Sequence, residues 1–152
     1  MKFTKRICFL ILISLTFVST NVFADDDDMN FEVISQGGQS GVDHQMSMVV
    51  DSMMHWKHMW KMHTKPQVEP EPLPKVDFEN YVVIAQFLGP VASCGYDIET
   101  SDVEFEDDYV KVETTITLPE GPINCLIAEQ PFEFILIERT NTVISFELEV
   151  DD

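Results

Sequence analysis

The sequence predicts an α+β domain, a mostly antiparallel β-sheet or sandwich with one amphipathic helix packed on it. Three observations support this fold class. Large side chains recur at the three- and four-residue spacing of a helix between Met53 and His63. The run Tyr81–Leu88 is almost continuously apolar, which is typical of a central strand covered on both faces. Apolar and polar residues alternate over Val110–Leu118, as they do in a half-exposed strand.

The first 24 residues have the organisation of a secretory signal peptide. Three basic residues within the first six precede an apolar run at 7–18 and a small-residue exit that ends at Ala24. The alternative is a membrane anchor, but this run is shorter than the roughly 18 residues that a membrane span needs. We therefore expect cleavage after Ala24, and a periplasmic or secreted protein without stable membrane insertion.

The composition is strongly acidic. The chain carries 27 Asp and Glu against nine Lys and Arg, a net charge of −18, and loss of the signal peptide's three basic residues would change it to about −21. Such a surface repels phosphate backbones and anionic lipid headgroups, so nucleic acid is not an expected partner. The 128 residues that follow the signal peptide suffice for one domain with its own core.

We expect the mature chain to begin with an acidic disordered segment, residues 25–41. It opens with the acidic run Asp25–Asp28 and ends in a stretch rich in Gly, Ser and Gln at 35–41. Order is expected from about Val42, and residues 42–152 form the predicted domain. The alternation over 45–50 suggests a short strand, although the same residues also suit the approach to the next helix.

The helix is predicted from its cap and its apolar face. Asp51 or Ser52 provides an N-cap, and the helix is expected to run to about His63. Trp56 and Trp60 lie one turn apart and therefore on one face. That face should dock on a sheet.

A proline-rich connector, residues 64–75, separates the helix from a series of strands, because prolines supply no N–H donors to a ladder. Besides the two strands already described, strands are predicted at 95–98, 103–106, 132–138 and 142–150. Asp107-Asp108 is the predicted turn before the alternating strand. Arg139–Asn141 is expected to close a hairpin between the last two strands.

Two cysteines, Cys94 and Cys125, remain after the signal peptide is lost. In a chain bound for an oxidising compartment a disulfide between them is the expected state. The alternative is a reactive thiol. It is disfavoured because cysteine nucleophiles usually need a neighbouring histidine, and no histidine follows His63.

Several residues occur in the order of a known family pattern: two tryptophans four apart, an Asp-Phe that opens an apolar strand ending near a glycine, a Gly-Tyr turn and a Pro-Phe. They are Trp56, Trp60, Asp77, Phe78, Phe87, Leu88, Gly89, Gly95, Tyr96, Pro131 and Phe132. In this order they resemble the C-terminal domain of the PrcB family, the protease complex subunit family, over most of residues 46–147. The resemblance implies a non-catalytic accessory protein that binds an exported protease or another envelope protein.

The resemblance also points to one loop as the recognition element. Its candidate partner-binding residues are Pro90, Ser93, Gly95 and Tyr96. A loop on a rigid sheet is a common place for binding residues. The chain departs from the family pattern at Cys94, where glycine is expected, so a bond to Cys125 would reshape the loop. The alternative is that Gly95-Tyr96 forms only a structural corner.

All four histidines and six of the eight methionines fall between His44 and His63. Imidazole and thioether are ligands that copper accepts. On the helix, the candidate metal ligands come within one turn of their neighbours, on the face opposite the tryptophans; they are His55, His58, Met59 and Met62. The simpler interpretation is that the methionines fill the core. No cofactor is therefore expected for the binding module, and a periplasmic copper-binding protein is the alternative function.

Enzyme signatures are missing from the sequence. No G-x-S-x-G, phosphate-cradling glycine loop or H-E-x-x-H occurs. Acidic residues are so abundant that the paired carboxylates of a glycosidase cannot be recognised among them. We therefore expect an exported, non-catalytic module that binds or stabilises a protein.

Overall fold

The computed structural model describes residues 30–119, 125 and 127–151. The predicted signal peptide and the acidic run Asp25–Asp28 lie outside these residues. The elements are β1 (Phe31–Gly37), β2 (Met46–Val50), α1 (Met53–His63), β3 (Tyr81–Phe87), β4 (Asp97–Phe105), β5 (Tyr109–Thr117), β6 (Phe132–Glu138) and β7 (Val143–Asp151). One helix and seven strands in the described residues confirm the predicted α+β class. Within the same residues no helix has the length and apolar character needed to cross a membrane.

The strands form two sheets. The four-stranded sheet has the order β1-β6-β3-β2 and is antiparallel throughout. The three-stranded sheet has the order β4-β5-β7, in which β4 pairs with β5 antiparallel and β7 runs parallel to β5. The four-stranded sheet is the middle layer, because α1 packs on one of its faces and the three-stranded sheet on the other.

The continuous apolar run of β3 is explained by its central place. Val83 and Ala85 belong to the core under α1, whereas Val82 and Ile84 belong to the core between the two sheets. Because successive side chains of a strand point to opposite faces, a strand covered on both sides has apolar residues on both of its faces. Burial of each large aliphatic side chain contributes roughly 1.5–3 kcal/mol.

The helix forms as predicted. Ser52 is the N-cap, and its Oγ accepts a hydrogen bond from the N–H of His55 at 3.4 Å. Trp56 and Trp60 are buried, and their ring centroids lie 5.1 and 5.7 Å from that of Phe134 on β6. The prediction that both tryptophans dock on a sheet is confirmed.

The proline-rich connector is held against α1 by the two indoles. The Nε1–H of Trp56 donates to the carbonyl of Pro74 at 3.0 Å, and the Nε1–H of Trp60 donates to the carbonyl of Glu71 at 3.1 Å. Prolines suit this segment because its carbonyls accept these bonds and no backbone ladder needs its N–H groups.

The prediction that order begins near Val42 is wrong. Part of the segment 25–41 forms β1, which pairs with β6 from Phe31↔Ile137 to Gly37↔Phe132. The register shifts between Val33 and Ser35, which marks a bulge. A bulge interrupts the alternation of apolar and polar residues, so the sequence of β1 does not show the two-residue period of a strand.

The prediction of a hairpin between the last two strands is also wrong. Arg139–Asn141 connects β6 in the four-stranded sheet to β7 in the three-stranded sheet, where β7 lies beside β5. The N–H of Arg139 donates to the carbonyl of Asn80, and its guanidinium donates to the carbonyl of Phe78 at 2.8 Å. The strands predicted at 95–98 and 103–106 are one strand, β4, with a register shift between Thr100 and Asp102.

Candidate functional site

Seven imidazole and thioether side chains line one groove between α1 and the segment 41–51, which contains β2. The groove encloses about 590 Å³. These side chains are His44, Met46, Met48, His55, His58, Met59 and Met62. We call this site the His/Met groove. Asp43 and Asp51 also line it, so sulfur, nitrogen and carboxylate donors are gathered at one surface.

The strand side of the His/Met groove follows from the alternation of β2. Met46 and Met48 pair with Phe87 and Ala85 of β3, whose side chains belong to the core under α1. Side chains two residues apart share a face of a sheet, so both methionines lie on the face that α1 covers. Both are half-buried, and they therefore contact the core and the groove.

The helix side supplies the four predicted ligands, and all of them line the groove. His55, His58 and Met62 are exposed. The predicted face is wrong for Met59, which is only 3% exposed and packs in the same core cluster as the two tryptophans. Met59 therefore lies at the border between the core and the groove.

Residues from the strand side were not among the predicted ligands. His44, Met46 and Met48 were noted only as part of a composition cluster. The signal that would have found them is the alternation of Met46, Met48 and Val50 directly before the helix, because a strand and the helix that follows it often pack face to face.

Two imidazoles in the groove are oriented by carboxylates. His44 Nδ1 lies 3.0 Å from Asp43 Oδ1, and His55 Nδ1 lies 3.2 Å from Asp51 Oδ1. An ionised carboxylate only accepts hydrogen bonds, so in a neutral imidazole Nδ1 would carry the proton and Nε2 would keep its lone pair. The hydrogen bond from His44 lowers the pKa of Asp43, which keeps this carboxylate ionised. Ligating histidines in metal sites usually have such a partner.

Nitrogen and oxygen donors alone do not complete a site. In residues 30–119, 125 and 127–151, no three side chains of His, Cys, Asp or Glu come together as a metal-binding group. A metal ion bound in the His/Met groove would need thioether ligands as well. Sulfur ligands favour soft ions such as Cu(I).

Two glycines allow the backbone to close around the groove. A Cβ at Gly41 would lie 2.2 Å from the carbonyl oxygen of Met62, and the N–H of Gly41 donates to the carbonyl of His63 at 2.8 Å. Gly89 has φ +81°, and a Cβ there would lie 3.0 Å from the backbone of His44. Only glycine permits both approaches. Gly41 thus fixes the segment before β2 against the end of α1.

The fourth histidine is a core residue. His63 is 1% exposed, and its ring centroid lies 4.1 Å from that of Phe132. Its Nδ1 lies 3.2 Å from the hydroxyl oxygen of the buried Ser40. Burial lowers the pKa of His63 to about 4, so the ring is neutral at physiological pH. His63 fills the core and does not line the groove.

The predicted partner-binding loop is held at several points. Val91 and Glu129 form a two-way backbone bridge, with N to O distances of 2.8 and 3.2 Å. Pro90 and Gly95 are exposed and Tyr96 is half-buried. These residues are available to a partner. The remaining candidate, Ser93, is 4% exposed and therefore shapes the loop from the inside.

The predicted disulfide is present. Cys94 and Cys125 are bonded, with a Cα–Cα distance of 5.7 Å and a sequence separation of 31. The bond ties the loop to the segment before β6. Such a bond persists in an oxidising compartment.

The core between the sheets contains a hydrogen-bonded polar cluster. Gln86 Nε2 donates to Thr100 Oγ1 at 2.7 Å, and the hydroxyl of Thr114 donates to Gln86 Oε1. Glu133 Oε2 accepts from both the N–H and the hydroxyl of Thr100. All four residues are buried, and no buried side-chain polar atom in the described residues lacks a partner. The cluster is closed to solvent and serves the fold.

Comparison with known proteins finds no family model, no curated protein and no solved structure that matches the chain. The resemblance to the PrcB family therefore stays a prediction that depends on the residues themselves. In the structure, Trp56 and Trp60 lie on α1, Phe87 ends β3, and Gly95-Tyr96 precedes β4. Gly95 has φ +94°, in keeping with the predicted glycine turn.

Proposed function

We propose that this protein is an exported binding protein for a soft monovalent metal ion, copper(I), held in the His/Met groove. The observation that carries the proposal is that four thioethers and three imidazoles from two different elements line one groove. Cu(I) prefers such ligands, whereas Ca²⁺ and Mg²⁺ prefer oxygen. Two carboxylate-oriented imidazoles at the rim add nitrogen ligands.

Thioether ligands suit the compartment that the sequence predicts. Free thiols pair in an oxidising compartment, as Cys94 and Cys125 do here. A thioether cannot form a disulfide, so methionine remains a ligand under the same conditions. The disulfide and the predicted signal peptide together support a periplasmic or secreted location.

The exposure of the groove favours reversible metal binding over a permanent structural site. Met62 is 37% exposed and His55 is exposed at the rim, while Met59 is buried at the base. A structural site is normally closed by its ligands. An open groove lets a second protein or chelator reach the ion, and the net charge of −18 raises the local concentration of cations. We propose a role in capturing and passing on the ion without catalysis.

A competition titration with a colorimetric Cu(I) chelator tests this function. The double variant Met48→Leu and Met62→Leu keeps the apolar volume of both side chains but removes two sulfur ligands. We expect its Cu(I) affinity to fall at least about tenfold, which corresponds to about 1.4 kcal/mol, because two of the four thioether ligands are removed. The control is Met54→Leu, because Met54 is 73% exposed on the same helix and does not line the groove. Wild-type affinity weaker than micromolar, or equal losses in both variants, would refute the proposal.

A second candidate function is supported by the loop Pro90–Tyr96, namely binding of an exported protease or another envelope protein. The disulfide and the Val91–Glu129 bridge hold this loop rigidly, which lowers the entropy cost of binding a partner. The PrcB resemblance supports the same partner class. Tyr96→Ala should lose a protease that wild type captures from envelope extract, whereas Tyr109→Ala, an exposed tyrosine on β5, should retain it.

A further inference from the structure

The outer edge of β7 has the properties of a strand-docking site. Among the described strands β7 pairs with β5 alone, in nine consecutive parallel pairs from Tyr109↔Val143 to Thr117↔Asp151 without a register shift. Of the other three edge strands, β1 and β4 carry register shifts and β2 has five residues. Bulges and short length are the usual protections of an edge. Within the described residues, β7 is the long and regular edge that lacks both.

The unpaired backbone groups of β7 can be assigned to particular residues. The carbonyl of Asp151 accepts from the N–H of Leu118 on the β5 side. The N–H and C=O of one strand residue point the same way, and successive residues alternate. The backbone groups of residues 144, 146, 148 and 150 therefore point away from β5, where an added strand would bind them.

One face of β7 exposes an apolar row. Val112 and Ile116 of β5 are buried, and Val112 belongs to the core between the two sheets. Their register partners on β7, Phe146 and Val150, share that face but are 38% and 57% exposed. Leu148 between them is 40% exposed. An added strand with apolar residues at alternate positions would cover this row.

The other face of β7 is acidic, and the described residues place no ion-pair partner on its carboxylates. Glu147, Glu149 and Asp151 are exposed, and none of them takes part in an ion pair within the described residues. The nearest lysine in register, Lys111, is held by Glu104 and Glu113 at 2.7 and 2.5 Å. A strand that docks here would lie beside carboxylates whose charge no described basic residue neutralises.

We propose that β7 accepts a strand from a partner protein in which apolar and basic residues alternate. The apolar residues would cover the row from Phe146 to Val150, and the basic residues would lie opposite Glu147 and Glu149. A second copy of this chain is disfavoured as the occupant. In the antiparallel pairing of β7 with β7 that uses all nine residues, Glu147 lies opposite Glu147 of the second copy, and like charges directly opposite each other are destabilising.

The first test uses a capped nine-residue peptide of alternating lysine and valine, matching β7 in length. Binding to the purified protein is measured by calorimetry, and hydrogen exchange reports the site. We expect slowed exchange at the β7 amides that point away from β5. A peptide of the same composition with its lysines and valines in two blocks should bind at least about fivefold more weakly, because it cannot satisfy both faces of the strand. Equal binding of the two peptides would overturn the proposal, as would protection outside β7.

The second test separates the edge from the overall negative charge. The double variant Glu147→Lys and Glu149→Lys should weaken binding of the alternating peptide at least about tenfold. The matched control is Glu69→Lys and Glu71→Lys, which changes the net charge equally in the exposed connector. The control should change binding less than about twofold in about 0.15 M NaCl, because the connector packs on α1, on the far side of the four-stranded sheet from β7, and exposed charges more than about 8 Å apart are largely screened. Equal weakening would show binding to net charge only and would contradict the proposal, and so would a β7-dependent dimer in sedimentation experiments.

Discussion

Glu133 Oε2 accepts two hydrogen bonds from one residue, Thr100, whose backbone N and Oγ1 each lie 2.6 Å away. Thr100 stands at the register shift of β4, where a backbone N–H is freed from the ladder. The carboxylate of Glu133 on β6 thus accepts the hydrogen bond of the N–H that the bulge in β4 leaves free, across the interface between the two sheets. Glu133 is 1% exposed, and burial raises its pKa, with the two hydrogen bonds opposing that shift.

Replacement of Glu133 by glutamine should make stability less dependent on pH. The pKa of Glu133 is higher in the folded than in the unfolded state. Its contribution to the free energy of unfolding is therefore fully present below about pH 4.5 and is lost as pH rises through the folded pKa. Glu133→Gln keeps an acceptor for Thr100, so its stability relative to wild type should rise between pH 4 and 8. Urea unfolding across this pH range measures the difference, with Glu99→Gln on the exposed face of β4 as the control.

His63 should produce the opposite pH dependence. Its folded pKa of about 4 lies below the ordinary value of 6.5, so the unfolded chain binds more protons between these values. Stability is complete above pH 6.5 and falls as pH decreases towards 4, by roughly 3 kcal/mol in total. His63→Phe fits among the neighbouring aromatic rings and should remove this dependence. His58→Gln, at an exposed position, should leave it unchanged, and a persistent acid loss in His63→Phe would contradict the assignment.

The sequence predicts those parts of the fold that local period and chain order determine. The face of α1 and the covered strand β3 are clear because Trp56 and Trp60 recur by helical turn and because residues 82–85 are apolar on both faces. The parallel pairing of β7 with β5 was not predicted, since strand order depends on packing between distant segments. β1 was missed because its bulge interrupts the alternation.

Only the helix side of the His/Met groove was predicted from the sequence. Helical spacing brings His55, His58 and Met62 together, and this spacing is visible in the sequence. The approach of β2 depends instead on Gly41 and Gly89, whose close backbone contacts appear only in the folded chain. The fold adds the ligands of the strand side to those of the helix side.

Gly41→Ala should damage the groove and the fold together. The added Cβ would lie 2.2 Å from the carbonyl oxygen of Met62, so the segment before β2 must move away from α1. We expect a loss of about 2 kcal/mol or more in the free energy of unfolding, because the contact is with backbone and cannot relax by a rotamer change. Gly38→Ala is the control, since a Cβ there would meet only the side chain of Glu129 at 3.3 Å. Chemical denaturation that finds equal stability in the two variants would be inconsistent with this packing.

Removal of the disulfide should destabilise the protein without changing the Cu(I) site. The bond between Cys94 and Cys125 closes a loop of 31 positions, for which the chain-entropy model gives roughly 3 to 4 kcal/mol. The paired variant Cys94→Ser and Cys125→Ser should lose about that much in urea unfolding, and reducing agent should then have no further effect. Its Cu(I) affinity should stay within about twofold of wild type, because neither residue lines the groove. A larger affinity loss in a folded variant would show that the loop and the groove are coupled.

Metal binding should protect particular methionines from oxidation. Peroxide converts an exposed thioether to a sulfoxide, and a sulfur that donates its lone pair to a metal is shielded from this reaction. Met62 lines the groove and is 37% exposed, whereas Met54 is 73% exposed on the same helix but outside the groove. With Ag(I) as a redox-inert substitute for Cu(I), mass spectrometry should find slower oxidation of Met62 and unchanged oxidation of Met54. Equal protection of both would indicate consumption of peroxide or general adsorption of silver, and no protection of Met62 would remove it from the ligand set.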